Sequence, residues 1–305
     1  MENFQLSLLV DMENPQSVFD EVKTITLMMH SGFDFEALTQ VFKDVLRLFS
    51  GEYPGYRKCN TEYHNLKHST DAFLAMARLM HGGVERGQSL SSERTNLGLI
   101  CALMHDTGYI QTRDDDVGTG AKYTRMDTNR SVEFMGKYLA DHKFPKEGFR
   151  GYAQVLKGTS LDTNPSEIKF ESLETEFLCK ALGTADLLGQ MADRTYLEKL
   201  LFLFYEFRQG GIAGYDTELE LLKKTLDFYD MAQARLTDEL GDVKKYMADH
   251  FKVRWNLDRD LYMEAVEKHI TYLKVTLDNH EKEYRDRLRR GGIVKTLTEK
   301  GQDTS

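Results

Sequence analysis

The chain has 305 residues, 41% of them hydrophobic and 29% charged, an ordinary composition for a globular protein with a sizeable core. Its net charge of −9 argues against a broad nucleic-acid surface, which needs clustered Lys and Arg, but leaves room for a small anionic substrate whose charge metal ions offset. No apolar run reaches the roughly 18 residues of a membrane span, "MENFQLSLLVDMENPQ" lacks the basic start and long apolar run of a signal peptide, and the widely separated Cys59, Cys101 and Cys179 read as reduced thiols of a cytoplasmic protein.

Only 4 Pro against 13 Met, with many Leu, Glu, Lys and Ala, favours helix throughout, and no run alternates with the period of two that a strand requires. The spacing of Leu38, Val41, Phe42, Val45, Leu46 and Phe49 predicts an amphipathic helix over 34–49, broken by "SGEYPGY". A second helix is expected over 62–80. "GGVERGQSLSSERTN" reads as a loop whose Ser91 or Ser92 caps a third helix through "LGLICALMHD", ending near Gly108. "GYIQTRDDDVGTGAKYTRMDTN" is loop-like, and "RSVEFMGKYLADH" and "EGFRGYAQVLKG" read as helices. The longest apolar period covers 172–209, and further helices are expected over about 216–246 and 257–290, before a tail at 291–305. The sum is an all-α, compact multi-helix bundle, most simply one domain over 1–290.

Three stretches carry candidate chemistry. In "TEYHNLKHSTDAF", His64 and His68 are four apart, so on a helix their rings share a side, with Asp71 a turn further on. Two histidines alone read first as surface or satisfied core histidines, and Asn65 stands where a zinc peptidase would carry Glu. In "CALMHDTGY", His105 and Asp106 end a strongly apolar helix, either as an exposed cap or as groups that need a partner. In "CKALGTADLLGQMADR", Asp186 interrupts the apolar stripe, with Asp193 on nearly the same face; such a carboxylate caps a neighbouring helix or meets a metal. Taken together, His68, His105, Asp106 and Asp186 give two imidazoles and two carboxylates, with His64 to spare. Mixed N and O donors suit Zn²⁺, Fe²⁺ or Mn²⁺, and a bridging carboxylate recruits a second, harder ion such as Mg²⁺ or Mn²⁺.

These residues resemble the HD-domain metal-dependent phosphohydrolases, and within them the class I 3′,5′-cyclic nucleotide phosphodiesterase catalytic domain. "YHNLKHSTDAF" follows that family's Y-H-N-x-x-H-x-x-D-V through Asp71, "LMHDTGY" its His-Asp pair, and "TADLLGQMADR" with "LFYEFRQGG" its late metal-binding stretch; the similarity covers about 35–211. The resemblance implies an all-α fold with two divalent ions. His68, His105, Asp106 and Asp186 would hold the tighter metal, Asp106 would bridge to the second, and His64 would be the general acid that protonates the leaving oxygen after a metal-activated hydroxide attacks phosphorus. Tyr109 and Ile110 stand where the family has His and Pro, and "NRSVEFMGKY" keeps Ser131, Val132 and Glu133 of another family stretch without its histidines. Both absences fall on the supports of the second ion. No counterpart of the family's base-holding Gln and Phe follows Gly211, so the substrate-binding residues stay unknown.

Asp114, Asp115 and Asp116 read as a solvated acidic loop with an outside option on the second ion. Cys59 reads as a bystander thiol, His142 and His269 as bystanders, and "LLFLFYEF" (200–207) as core or a homodimer contact. Lys67, Arg113, Lys122 and Arg125 are minor candidates for substrate phosphate. The expected function is hydrolysis of a cyclic nucleotide or related small phosphodiester. The alternatives are an HD nucleotidase or phosphomonoesterase, and a non-catalytic HD domain that binds nucleotide or a partner protein.

Overall fold

In the computed structural model, which describes residues 4–299, the chain is a stack of helices with no sheet among the described residues; one isolated bridge pairs Tyr56 with Thr112. The helices are α1 (Leu6–Leu9), α2 (Pro15–Met29), α3 (Glu36–Ser50), α4 (Leu66–Glu85), α5 (Ser92–Met104), α6 (Asp127–Asp141), α7 (Tyr152–Leu156), α8 (Leu173–Met191), α9 (Tyr196–Gln209), α10 (Glu218–Ala234), α11 (Tyr246–Trp255), α12 (Leu261–His280), α13 (Tyr284–Arg287) and α14 (Ile293–Glu299). The all-α expectation holds, and no helix among the described residues is long and apolar enough to cross a membrane.

The organising element is α4. It is buried on every side from His68 to Gly83, with Asp71, Arg78 and His81 among the buried side chains, and α2, α5, α8 and α11 surround it. The approach of α11 is close: a Cβ on Gly82 would lie 1.9 Å from the Tyr246 carbonyl oxygen, so only glycine fits there. Buried apolar side chains from Leu6 to Leu297 form one continuous core.

Several boundaries differ from expectation for local reasons. Helix α4 starts at Leu66, because Asn65 is extended and its side chain accepts a hydrogen bond from the His68 backbone N–H as a cap; His64 therefore lies just outside the helix. The 172–209 run is two helices, parted where Asp193 accepts hydrogen bonds from the Thr195 N–H and hydroxyl. The 216–246 run ends α-helically at Ala234, passes through a π-turn at Arg235–Glu239, and reverses through left-handed Gly241 and Asp242. Helix α2 was not anticipated. Within the expected tail, Ile293–Glu299 is helical with Leu297 buried, and residues 300–305 lie outside the described residues.

Candidate metal centre

Two helix ends and the middle of a third helix meet at the candidate site. His68 comes from the first turn of α4, His105 and Asp106 from the turn that closes α5, and Asp186 from the middle of α8. The short turn after α5 is held from behind by α6: the Ser131 hydroxyl donates to the His105 carbonyl and accepts from the Gly108 N–H. Gly108 is required, since a Cβ there would lie 2.0 Å from the Asp127 carbonyl oxygen.

The side chains converge. The two Nε2 atoms of His68 and His105 are 3.2 Å apart. His68 Nε2 lies 3.0 Å from Asp186 Oδ1 and 3.3 Å from Asp106 Oδ2, and His105 Nε2 lies 3.5 Å from Asp106 Oδ1 and 3.7 Å from Asp186 Oδ1. His68, His105 and Asp106 are buried and form a group able to hold a metal ion. Two nitrogens bound to one cation at about 2.0–2.1 Å with tetrahedral angles stand about 3.3–3.4 Å apart, close to the spacing of the imidazoles. His105 Nδ1 donates to the Ala102 carbonyl at 2.9 Å, which turns Nε2 toward the centre. Asp106 Oδ2 is buried and makes no hydrogen bond, an arrangement that costs free energy unless a cation meets it. The donor set therefore fits a metal ion.

The charges are mutually dependent. Burial works against the protonated form of His105, but Asp106 and Asp186 outweigh it and carry the imidazole up to about 10. Burial would raise Asp186, yet hydrogen bonds from His105 and His68 hold its carboxyl well below the usual carboxylate range.

His64 lies next to this group without joining it. Its ring centroid is 6.0 Å from that of His68, and its Nδ1 is 2.7 Å from Glu206 Oε2. Glu206 also accepts the Tyr63 backbone N–H at 2.7 Å. Burial would lower the His64 imidazole, but Glu206, followed by Asp106 and Asp127, raises it to about 9. Tyr109 stacks on the His64 ring at 4.2 Å, with its hydroxyl 3.5 Å from Nε2. Gln190 links Asp186 Oδ1, at 3.3 Å, to the Tyr63 hydroxyl, at 2.7 Å.

Of the other sequence candidates, none joins the group. Asp71 pairs with Lys67 at 2.7 Å, and Asp193 pairs with Lys199 and caps the α8–α9 turn. Asp115 is held by Lys122 and Tyr123, while Asp114 and Asp116 are exposed. Cys59 bonds within its own turn, to Thr61 and the His64 carbonyl. His142 stacks on Tyr138 and His269 bonds the Met191 carbonyl. Arg113 and Arg125 are exposed. Sequence reasoning passed over Glu206, Gln190 and Asp127. Glu206 carried a readable signal, a carboxylate inside the apolar run "LLFLFYEF".

Comparison with curated proteins and with solved structures gives no match. A scan against protein families matches residues 52–278 to the family described as Npun_R2479-like, a span that takes in His64, His68, His105, Asp106, Asp186 and Glu206. With well over half of its length matched, the chain belongs to the Npun_R2479-like family.

Proposed function

We propose that this protein is a metal-dependent phosphohydrolase of the HD-domain kind, hydrolysing a small phosphodiester, with a 3′,5′-cyclic nucleotide as the leading substrate class. The observation that carries the reading is the convergence of His68, His105, Asp106 and Asp186 from three separate helices beside the His64–Glu206 pair. A divalent ion bound there would polarise a phosphoryl oxygen and lower the pKa of a bound water.

The chain's own residues supply the rest. His64, raised to about 9 chiefly by Glu206, keeps its proton at neutral pH. Glu206 takes Nδ1, so Nε2 is the proton-bearing atom left to face a leaving alkoxide. Tyr63 fixes Glu206 through its N–H, and Gln190 fixes Asp186, so both functional groups rest on hydrogen-bonded partners. All three cysteines are free thiols, which suits a cytoplasmic setting.

The test is metal analysis of the purified protein, followed by assays of 3′,5′-cAMP, 3′,5′-cGMP, bis-p-nitrophenyl phosphate and p-nitrophenyl phosphate with Mn²⁺ and Mg²⁺. The expected result is diester hydrolysis that His68→Ala abolishes together with metal binding. His64→Ala keeps the metal and lowers kcat by about 10²–10⁴-fold. Turnover of p-nitrophenyl phosphate alone would redirect the reading to a phosphomonoesterase, and turnover of none of the four would overturn it.

A further inference from the structure

We propose that the buried His81–His250 pair is a proton-operated latch: while both imidazoles are neutral it fastens α11 to α4, and proton uptake by the pair releases α11 from the core. His81 is 13 residues along α4 from His68, about 20 Å at 1.5 Å per residue, so the latch stands apart from the candidate metal centre.

The two rings meet edge to face where α11 crosses α4. Both residues are 0% exposed. Their ring centroids are 5.0 Å apart, and the two Nδ1 atoms are 3.2 Å apart. Neutral imidazoles make that contact in one way, with one Nδ1–H donating to the other Nδ1. Neither Nε2 makes a hydrogen bond. The crossing is tight: beside His81, a Cβ on Gly82 would lie 3.1 Å from the His250 backbone nitrogen. Along with His250, α11 buries Tyr246, Met247 and Phe251, so its release uncovers apolar surface on both helices.

The charges around the pair favour its neutral form. From α4, the fully buried Arg78 donates to the hydroxyl of Tyr262 on α12 at 3.0 Å and lies 5.3 Å from the Phe251 ring; its Nε and Nη2 make no hydrogen bond. From α11, Arg254 adds a second cation, paired with Glu21 of α2 at 3.2 Å, while Asp249 is taken by Arg86 at 2.8 Å. Glu85 of α4, partly exposed, is 3.8 Å from His81 Nε2. Burial, joined by Arg78, His81 and Arg254, holds His250 well below the ordinary histidine value, and burial lowers His81 against the opposing pull of Glu85. A first proton therefore goes to His81 Nε2, opposite Glu85. A second has no place in the closed arrangement. Each ring would then carry an Nδ1–H, and two donors would face each other at 3.2 Å beside two arginines. In released α11 and the face it uncovers, both rings reach water and protonate near 6.5, so acid favours release.

The experiment is hydrogen–deuterium exchange of the full-length chain from pH 7.5 to 5, read by mass spectrometry and corrected for the intrinsic pH dependence of exchange. Each imidazole adds up to about tenfold per pH unit below 6.5. Protection of α11 should thus fall about 10–100-fold more than that of α5 between pH 6.5 and 5.5. The double variant His81→Asn, His250→Asn keeps an amide where each Nδ1 stood and does not titrate, so it should lose that excess. Glu85→Gln removes the partner of the first proton and should open α11 at a higher pH than wild type. Protection of α11 that tracks α5 down to pH 5 overturns the proposal, as does an undiminished excess in the double variant or opening of Glu85→Gln at the same or a lower pH than wild type. Imidazole NMR of wild type is a check that needs no variant. His81 and His250 should not both be protonated while α11 is protected, and a pair that titrates fully near 6.5 with α11 still protected refutes the latch.

Discussion

Metal entering the His68–His105–Asp106–Asp186 group has to displace a proton, and the amount of work follows from the geometry. In the metal-free site, Asp106 and Asp186 hold the His105 imidazole protonated up to about 10. A metal ligand must be the neutral ring. At pH 7 that form is about one part in a thousand, so displacement costs about 4 kcal/mol, at about 1.4 kcal/mol for each tenfold step. The tight-site Kd should therefore fall about tenfold for each pH unit between about 6.5 and 8.5, with about one proton released per ion. Calorimetric titration in two buffers of contrasting ionisation enthalpy counts that proton directly. Stability supplies an independent reading. The folded pKa of His105 lies above its unfolded value of about 6.5, so its contribution is complete below pH 6.5 and is lost as pH rises toward about 10. Chelated protein should thus lose melting temperature across that window, and metal-loaded protein, whose His105 no longer carries the proton, should not. A Kd flat from pH 6.5 to 8.5, with no proton released, would refute the reasoning.

Four further outcomes follow from the same contacts. Glu206→Gln should drop His64 from about 9 to 6.5 or below in metal-free protein, read by NMR of the imidazole. Because a raised histidine stabilises fully below pH 6.5 and loses that contribution on passing about 9, the stability gap between wild type and Glu206→Gln should close as pH rises from 6.5 to 9. Leu182→Ala removes a fully buried side chain from the face of α8 and should cost about 2–5 kcal/mol in urea unfolding, without altering the pH dependence of His64. Gly82→Ala should destabilise despite alanine's better helix propensity, because the new methyl group meets a backbone carbonyl; a loss of about 1–3 kcal/mol is expected by thermal melting.

The helical class, and most of the helices, were legible because a core face writes itself into the sequence at a spacing of three and four; α3 and α8 are direct readings of that pattern. Breaks were less legible. Asp193 reads as a second acid on the face of Asp186, and Asp242 as an ordinary helix-surface acid, until their turn conformations are seen. Helix α2 carried its signal in plain view, Asn14 as cap and Pro15 at the first position, but the segment was read only for a leader sequence.

The site divides along a physical line. His105, Asp106 and Asp186 could be suspected because each is a polar group where the apolar pattern has no place for it, and a buried polar group needs a partner; His68 could be suspected only from its spacing of four to His64. What could not be read was how these groups are held. Glu206 lies 142 residues from His64, and Ser131 fastens the His105 turn from a helix whose sequence gives no hint of that contact. Asp127 sits in a stretch that reads as loop, and becomes notable only once α6 is seen fastened to Gly108 and Ile110. Ligands are chosen by residue type, which the sequence displays. Their supports are chosen by where helices cross, which depends on packing over the whole core. The same distinction predicts where substitutions will act: changes at His68 or Asp106 should remove the ion outright, while changes at Ser131 or Gln190 should leave it bound but loosen its geometry, giving weaker binding with the same stoichiometry.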